Sequence, residues 1–424
     1  MSGSDAAARP DDASAPSGEV AASDLLLSQV VREQSGRIVA ALARSLRSLD
    51  IAEEAVAEAV EEALRAWRKG GIPPNPGAWL TQAARHNAID RLRREKRYRE
   101  KLAGMVPGRD SESAAPEDAW SDSSGDVDDR LPLLFGCCHP SLAPEAQLAL
   151  TLRAVGGLTT RQIADAYLVP ESTMAQRISR AKRTVAQAGV DRAGDVRTVM
   201  KVLYLVFNEG YSGAVDLAAE AIRLTRQLAA AADDREAEPE VDGLLALMLL
   251  HHARRPSRTA PDGRLVPLAE QDRGEWDTVL VAEGVEVLQA ALVRDRLGEY
   301  QAQAAIAALH ADAPRVEETD WVQIVEWYDE LLRFTDTPIV RLNRAVAVGE
   351  ADGARAGLAA LAAIDADVPR RDAVAAYFQE RNGDLELAAR LYAEAARTAP
   401  NLAERDHQTR QAARLNQVLR EAGS

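Results

Sequence analysis

A chain of 424 residues is long enough for about three domains of roughly 150 residues each, which excludes a single small module. Apolar residues at 46% and charged residues at 28% are globular proportions, and no apolar run approaches the roughly 18 residues that cross a bilayer, so no membrane partner is expected. The net charge of −15 would disfavour a polyanionic partner if it were evenly spread, but it is strongly blocked along the chain.

Residues 1–24 carry −4 and are small, polar and acidic. Without a basic start leading into an apolar stretch they predict a disordered acidic tail, not a signal peptide, and a cytoplasmic protein. Residues 25–101 carry +5. Within them, Asp50 to Trp67 repeats apolar residues at three and four, an amphipathic helix whose outer face is acidic. Gly70-Gly71-Ile72-Pro73-Pro74-Asn75-Pro76-Gly77 interrupts it as a loop, because consecutive glycines and prolines cannot continue a helix. From Trp79 a second helix is expected, with Leu80, Ala84, Ala88 and Leu92 as one buried stripe and Arg85, Asn87, Asp90, Arg91 and Arg94 projecting elsewhere. Arg85 to Lys101 holds eight basic residues against three acidic ones, the footprint of a phosphate-contacting helix.

Residues 102–129 carry −7, and from Gly104 the composition turns to Ser, Asp, Glu, Gly and Pro. Such a stretch buries too little apolar area to offset its ordering entropy, so a flexible acidic linker is predicted. Residues 130–192 carry +4 and read as a helix-turn-helix. Thr159-Thr160-Arg161-Gln162 forms a capping box that opens a short helix with Ile163 and Ala164 inward, Tyr167-Leu168-Val169 makes the turn, and Pro170 starts the second helix. There Met174, Ile178, Ala181 and Val185 share one face. Thr173, Gln176, Arg177, Arg180 and Arg183 face out, as side chains that reach bases and phosphates from a recognition helix do.

Residues 193–424 carry −13 and read as a series of Ala/Leu-rich amphipathic helices, so the fold class is all-α. Val348-Gly349-Glu350-Ala351-Asp352 precedes Asn382-Gly383-Asp384-Leu385-Glu386 by 34 residues, the tetratricopeptide period. That reading places tight turns at Gly349 and Gly383 and makes Ala345, Ala388 and Ala395 the small residues of close helix approach.

Cys137 and Cys138 are adjacent and lack the further ligands of a zinc site, so they and His139 are read as packing residues with no metal and no cofactor. His251 and His252 point about 100° apart on a helix and cannot share a ligand face. With no phosphate loop, nucleophile elbow or metal triad, no enzyme is indicated.

The acidic helix, Arg65-Ala66-Trp67, the Gly/Pro loop, Ala78-Trp79-Leu80 and Ala88-Ile89-Asp90-Arg91-Leu92-Arg93-Arg94 together resemble region 2 of bacterial sigma factors of the extracytoplasmic-function type. Gly156-Gly157-Leu158-Thr159 to Lys182-Arg183 resembles region 4 of the same family. The two regions, an acidic linker and a long helical extension resemble the subgroup with a large C-terminal tetratricopeptide-like domain, in which Phe135 to Pro140 and Asn208 to Tyr211 also look typical. The resemblance implies a sigma region 2 over 25–101 that binds core RNA polymerase through Asp50, Glu54, Glu58, Glu61 and Glu62. Its loop 69–77 would hold a flipped base of the −10 element of promoter DNA, which Arg85, His86, Asn87, Asp90, Arg91, Arg93 and Arg94 contact. It also implies a region 4 over 130–192 that reads the −35 element through Thr173, Gln176, Arg177, Arg180 and Arg183, with the C-terminal domain 193–424 controlling activity. His86 stands where the family usually has Asn, and Leu168 where it commonly has Gly, so the turn is expected to be tighter packed and less left-handed. Contact between the C-terminal domain and the sigma regions is a further expected partnership, and a separate regulatory protein fits the same family. From the residues alone, a helix-turn-helix regulator with a sensing domain, or a helical interaction scaffold, remain alternatives.

Overall fold

The computed structural model of the chain describes residues 34–46, 48–103, 130–188, 194–209, 216–231, 239–261 and 264–422 apart from 265, 366 and 400. The acidic tail and nearly all of the acidic linker lie outside them. Among the described residues the protein is all-α, with no strand, and contacts divide it into two compact units, 1–216 and 217–424.

The first unit begins with α1 over 34–46, α2 at Leu49–Gly70 and α3 at Pro76–Ala103. Ser48 caps α2, its hydroxyl accepting from Ile51 N at 3.4 Å, and Asp50 sits in the first turn where the helix dipole favours an acid. Ala52, Ala55, Val56, Ala59, Ala63 and Trp67 of α2 bury against Ile38, Val39 and Leu42 of α1 and Leu80, Ala84 and Ala88 of α3. Alanines on the buried stripe let these helices approach closely, and Leu92, the last residue of the expected stripe, is only half-buried. Trp67 meets Trp79 edge to face at 5.7 Å between ring centroids, an arrangement contributing about 0.5–1.5 kcal/mol beyond area burial.

The unit continues through α4 at Arg130–Cys137, α5 at Pro144–Ala154, α6 at Thr160–Ala166, α7 at Glu171–Ala188 and α8 at Val196–Glu209. Composition places the domain boundary at 192/193, while α8, just after it, groups with the first contact unit because it packs on α4 and α5 and buries Val199, Met200, Val202, Leu203, Val206 and Phe207. The approach is close. Gly194 N donates to Phe135 O at 2.9 Å, and a Cβ at Gly194 would lie 2.3 Å from the Cys138 carbonyl oxygen. Both cysteines are buried, and burial pushes the Cys138 thiol up to about 12, so neither is a thiolate at neutral pH. Gln147 ties the segment down by donating to Cys138 O and His139 O.

The second unit runs from α9 at Leu217–Ala231 and α10 at Pro239–Ala253 to α11 at Thr278–Leu292, α12 at Glu299–Asp312 and α13 at Trp321–Leu332. Between its charged ends helix α10 is apolar all round and buries eight consecutive residues, Gly243 to Leu250, between α9, α11 and α12, the pattern of a central helix. Two helical hairpins and a final helix follow: α14 at Pro338–Ala351 with α15 at Ala354–Ala362, α16 at Arg371–Arg381 with α17 at Leu385–Thr398, and α18 at Leu402–Ala422. The glycine turn expected at Gly349 is displaced. Gly349 lies inside α14, where a Cβ would fall 2.1 Å from Phe378 Cζ, and the turn is made by Gly353 at φ +95°. Gly383, at φ +89°, is a turn residue as expected.

Candidate nucleic-acid interface

Helix α6 starts at the capping box: Gln162 N donates to Thr159 Oγ1 at 3.2 Å and Thr159 N donates to Gln162 Oε1 at 2.8 Å. Ile163 and Ala164 point inward, and burial also pushes the Tyr167 phenol up. The turn differs from expectation. Leu168 is left-handed at φ +51° and 94% exposed, so it is neither packed nor relaxed towards a right-handed conformation. Its backbone is held by Leu168 N donating to Asp165 O and Val169 N donating to Ala164 O, and this geometry imposes the left-handed turn on whichever residue stands there.

Helix α7 buries Met174, Ile178 and Ala181 and half-buries Val185. Thr173, Gln176, Arg180 and Arg183 are exposed and Arg177 is half-buried. The first three of these exposed residues, with Arg177, line one side of an open groove of about 350 Å³ whose other wall is Ser141, Leu142, Ala143 and Ala146. Arg183 is not part of it.

In α3, Asn75 caps the helix by accepting from Ala78 N at 3.0 Å, so the loop residue next to Pro76 is occupied in fixing the helix start. His86, Asp90, Arg93 and Arg94 are exposed, and Arg85 is half-buried. Asn87 and Arg91 turn towards α2 instead. Asn87 Nδ2 donates to Ala55 O at 3.5 Å, and with its amide reversed it would bond Glu62 Oε1 and Ala59 N, so either orientation faces α2. Arg91 forms ion pairs with both Glu54 and Glu58, the latter at 3.1 Å. One −10 candidate, Arg91, is thereby joined to two of the acidic residues assigned to polymerase docking, and a second, Asn87, faces the same helix. Glu61 stays exposed.

A second charge cluster escaped the sequence reading. Lys182 Nζ on α7 lies 2.5 Å from Glu53 Oε2 and 3.0 Å from Asp50 Oδ1 on α2, and Arg153 Nε approaches Glu53 at 3.9 Å. Burial opposes the Lys182 charge, but the Glu53 and Asp50 carboxylates outweigh it and hold the ammonium above its usual range. No local signal marks this pair, because its partners are 129 residues apart.

Residues 30–98 match the family described as Sigma-70 region 2, residues 133–185 match Sigma-70, region 4, and residues 195–292 match a family of unknown function, DUF6596. An uncharacterized protein of Rhizobium meliloti (strain 1021) is 45% identical over 338 residues, covering 75% of this chain and 78% of that protein. No solved structure matches the chain. With α1–α3 inside the first match, the helix-turn-helix inside the second and a large helical region after them, the chain belongs to the sigma factors of RNA polymerase, as an extracytoplasmic-function-like member with a C-terminal extension.

Proposed function

We propose that this sigma factor reads a two-part promoter, with α7 on the −35 element and α3 with its preceding loop on the −10 element, while α2 docks on core polymerase. The observation that carries the reading is the grouping of Thr173, Gln176, Arg177 and Arg180 along one open groove of a capped helix-turn-helix. Gln and Arg on such a face offer the bidentate donors that distinguish bases in the major groove. On α3, the exposed Arg93 and Arg94 suit phosphate contacts, whereas Arg91 acts through α2: it neutralises Glu54 and Glu58 and orients them, leaving Glu61 as the open acidic contact for a basic polymerase surface. The acidic second unit controls these activities.

Run-off transcription with core polymerase on a promoter library tests the reading. Initiation that requires both the polymerase and a paired −35/−10 sequence is the expected result. Sequence-specific DNA binding that never supports initiation would make the chain an ordinary helix-turn-helix regulator.

A further inference from the structure

In the second unit, the segment leading into α16, the last turn of α17 and the start of α18 enclose a pocket of about 190 Å³. Its size limits what enters. One water needs only about 10–15 Å³, whereas pockets for drug-sized ligands run from roughly 300 to 1,000 Å³. A single side chain or a short small molecule fits.

The walls are rich in hydrogen-bond acceptors. Asp367 and Asp372, on either side of the entry to α16, and Glu404 of α18 put three carboxylates on the lining against one cation, Arg370. Arg371 stands outside it, donating from Nε to Ile364 O at 3.0 Å and reaching Asp372 only at 3.9 Å. The Thr398 hydroxyl lies 3.4 Å from both Glu394 O and Ala395 O, so its proton goes to its own helix and its oxygen is left as an acceptor. Gln408 lines the pocket from α18, and its Oε1 is buried without a hydrogen-bond partner. A buried acceptor left unpaired costs stability, which points to a donor supplied from outside the chain. Val368 and Ala395 add apolar surface between these groups.

The chain itself shows what such walls hold. Arg370 lays its guanidinium on Glu404, with Nε to Oε2 at 3.0 Å and Nη2 to Oε1 at 2.6 Å, the fork that a planar guanidinium makes with a carboxylate. Arg370, with Asn401 Nδ2 donating at 2.9 Å, holds the Glu404 carboxyl below its usual range, so it stays ionised. That fork uses one carboxylate of the three. Asp367, Asp372, Thr398 and Gln408 line the rest.

We propose that this pocket binds an alkylguanidinium group, with Asp367 and Asp372 supplying charge, Thr398 Oγ1 and Gln408 Oε1 supplying neutral acceptors, and Val368 and Ala395 packing on the stem. Guanidinium suits the pocket better than ammonium, because it presents five donors in one plane and is more weakly hydrated. Residues 193–424 carry −13, so cations are drawn to this part of the chain. A free small guanidine and an Arg side chain of a peptide offer the same chemistry. Because three successive elements supply the lining, an occupant ties α16, α17 and α18 together and gives the extension an input separate from promoter DNA and polymerase.

Isothermal titration of the full chain with n-butylguanidinium tests this. One equivalent should bind, n-butylammonium should bind more weakly, and the neutral isostere n-butylurea should not bind. Asp372→Asn should weaken binding about tenfold or more and Gln408→Leu about two- to tenfold, as losses of a charged and a neutral acceptor do. Gln408→Glu, which keeps an oxygen there, should retain it. Glu386→Gln, on the exposed first turn of α17, removes the same charge outside the pocket and should change nothing. Gln408→Leu deletes an unpaired acceptor, so its melting temperature by circular dichroism should equal or exceed that of the wild type, which separates lost binding from lost folding. No binding to the wild type, equal binding of n-butylurea or n-butylammonium, or unchanged affinity in Gln408→Leu overturns the site. So does an equal loss in Glu386→Gln and Asp372→Asn, which would be general attraction to an acidic surface. Acetyl-Ala-Arg-Ala-amide separates the sources: tighter binding than n-butylguanidinium supports an Arg-bearing peptide, and weaker binding supports a free guanidine.

Discussion

At the scale of single residues, side chains in the interface divide by what they already hold. Gln176 and Arg180 face an open groove beside Arg177, and loss of a good base contact costs about 1–3 kcal/mol and relaxes choice at one position. Alanine at each should therefore broaden −35 preference in a promoter selection, while Arg93→Ala and Arg94→Ala should weaken binding evenly and lower the salt slope by about 0.9 each. Leu168 carries a different expectation. A non-glycine residue in the left-handed region costs roughly 1–2 kcal/mol, and Leu168, 94% exposed, gains almost nothing from packing. Leu168→Asn, whose side chain tolerates that conformation, should stabilise the first unit by about 1 kcal/mol, read as a rise of roughly 2–4 °C in its melting temperature. Legibility at this scale follows range. Thr159 and Gln162 were readable because a capping box closes within four residues, whereas Arg91's engagement with Glu54 and Glu58 depends on how two helices meet and leaves no local trace.

Among elements, glycines mark two kinds of place that a sequence does not separate: tight turns and close crossings. Gly349 and Gly357 both face Phe378, with virtual Cβ distances of 2.1 and 2.7 Å to its ring, so α14, α15 and α16 meet where there is no room for a methyl group. Gly349→Ala would gain about 1 kcal/mol of helix propensity, but displacing a fully buried ring costs typically 1–3 kcal/mol. Net destabilisation is expected, seen as a lower denaturation midpoint. Gly353→Ala should also destabilise through its positive φ, although nothing crowds it. The 34-residue repeat thus pointed to helical hairpins correctly and to one wrong turn, because Gly349 and Gly383 match in sequence while only Gly383 occupies a turn. Helix α8 was likewise legible as a helix but not as a partner of α4 and α5, since composition changes at 193 while packing does not.

For the whole molecule, the position of α8 decides how the extension should be tested. A chain ending near Gly189 would strip six buried apolar side chains from the first unit and confound regulation with folding. Ending the chain between 210 and 216 keeps α8. If the acidic extension controls the sigma regions, transcription from a paired promoter should change, in either direction, across a range of salt; equality with the full chain would make the extension a docking site for another partner. The second unit should also be acid-sensitive. Burial, then Arg254, Arg258 and His310, holds His251 down at about 3, and burial with Arg254 and Arg273 holds His310 at about 4. Both imidazoles stay neutral in the fold while the unfolded chain takes up protons below about 6.5, so stability is present above that pH and falls below it by up to about 1.4 kcal/mol per unit for each, until the folded values are reached. Melting of the full chain at pH 7.5 and pH 5.0 should show the loss, reduced in His251→Gln. A last consequence follows from how α12 begins. Gly298 supplies no side-chain cap, and the Glu240 carboxylate of α10 accepts from Tyr300 N at 2.9 Å and Gln301 N at 3.1 Å in its place. A helix whose first turn is completed from 60 residues away cannot unzip by itself, so amides of α10 and α12 should exchange hydrogen together, in one cooperative opening, while α16–α18, linked mainly to their neighbours, open in smaller steps.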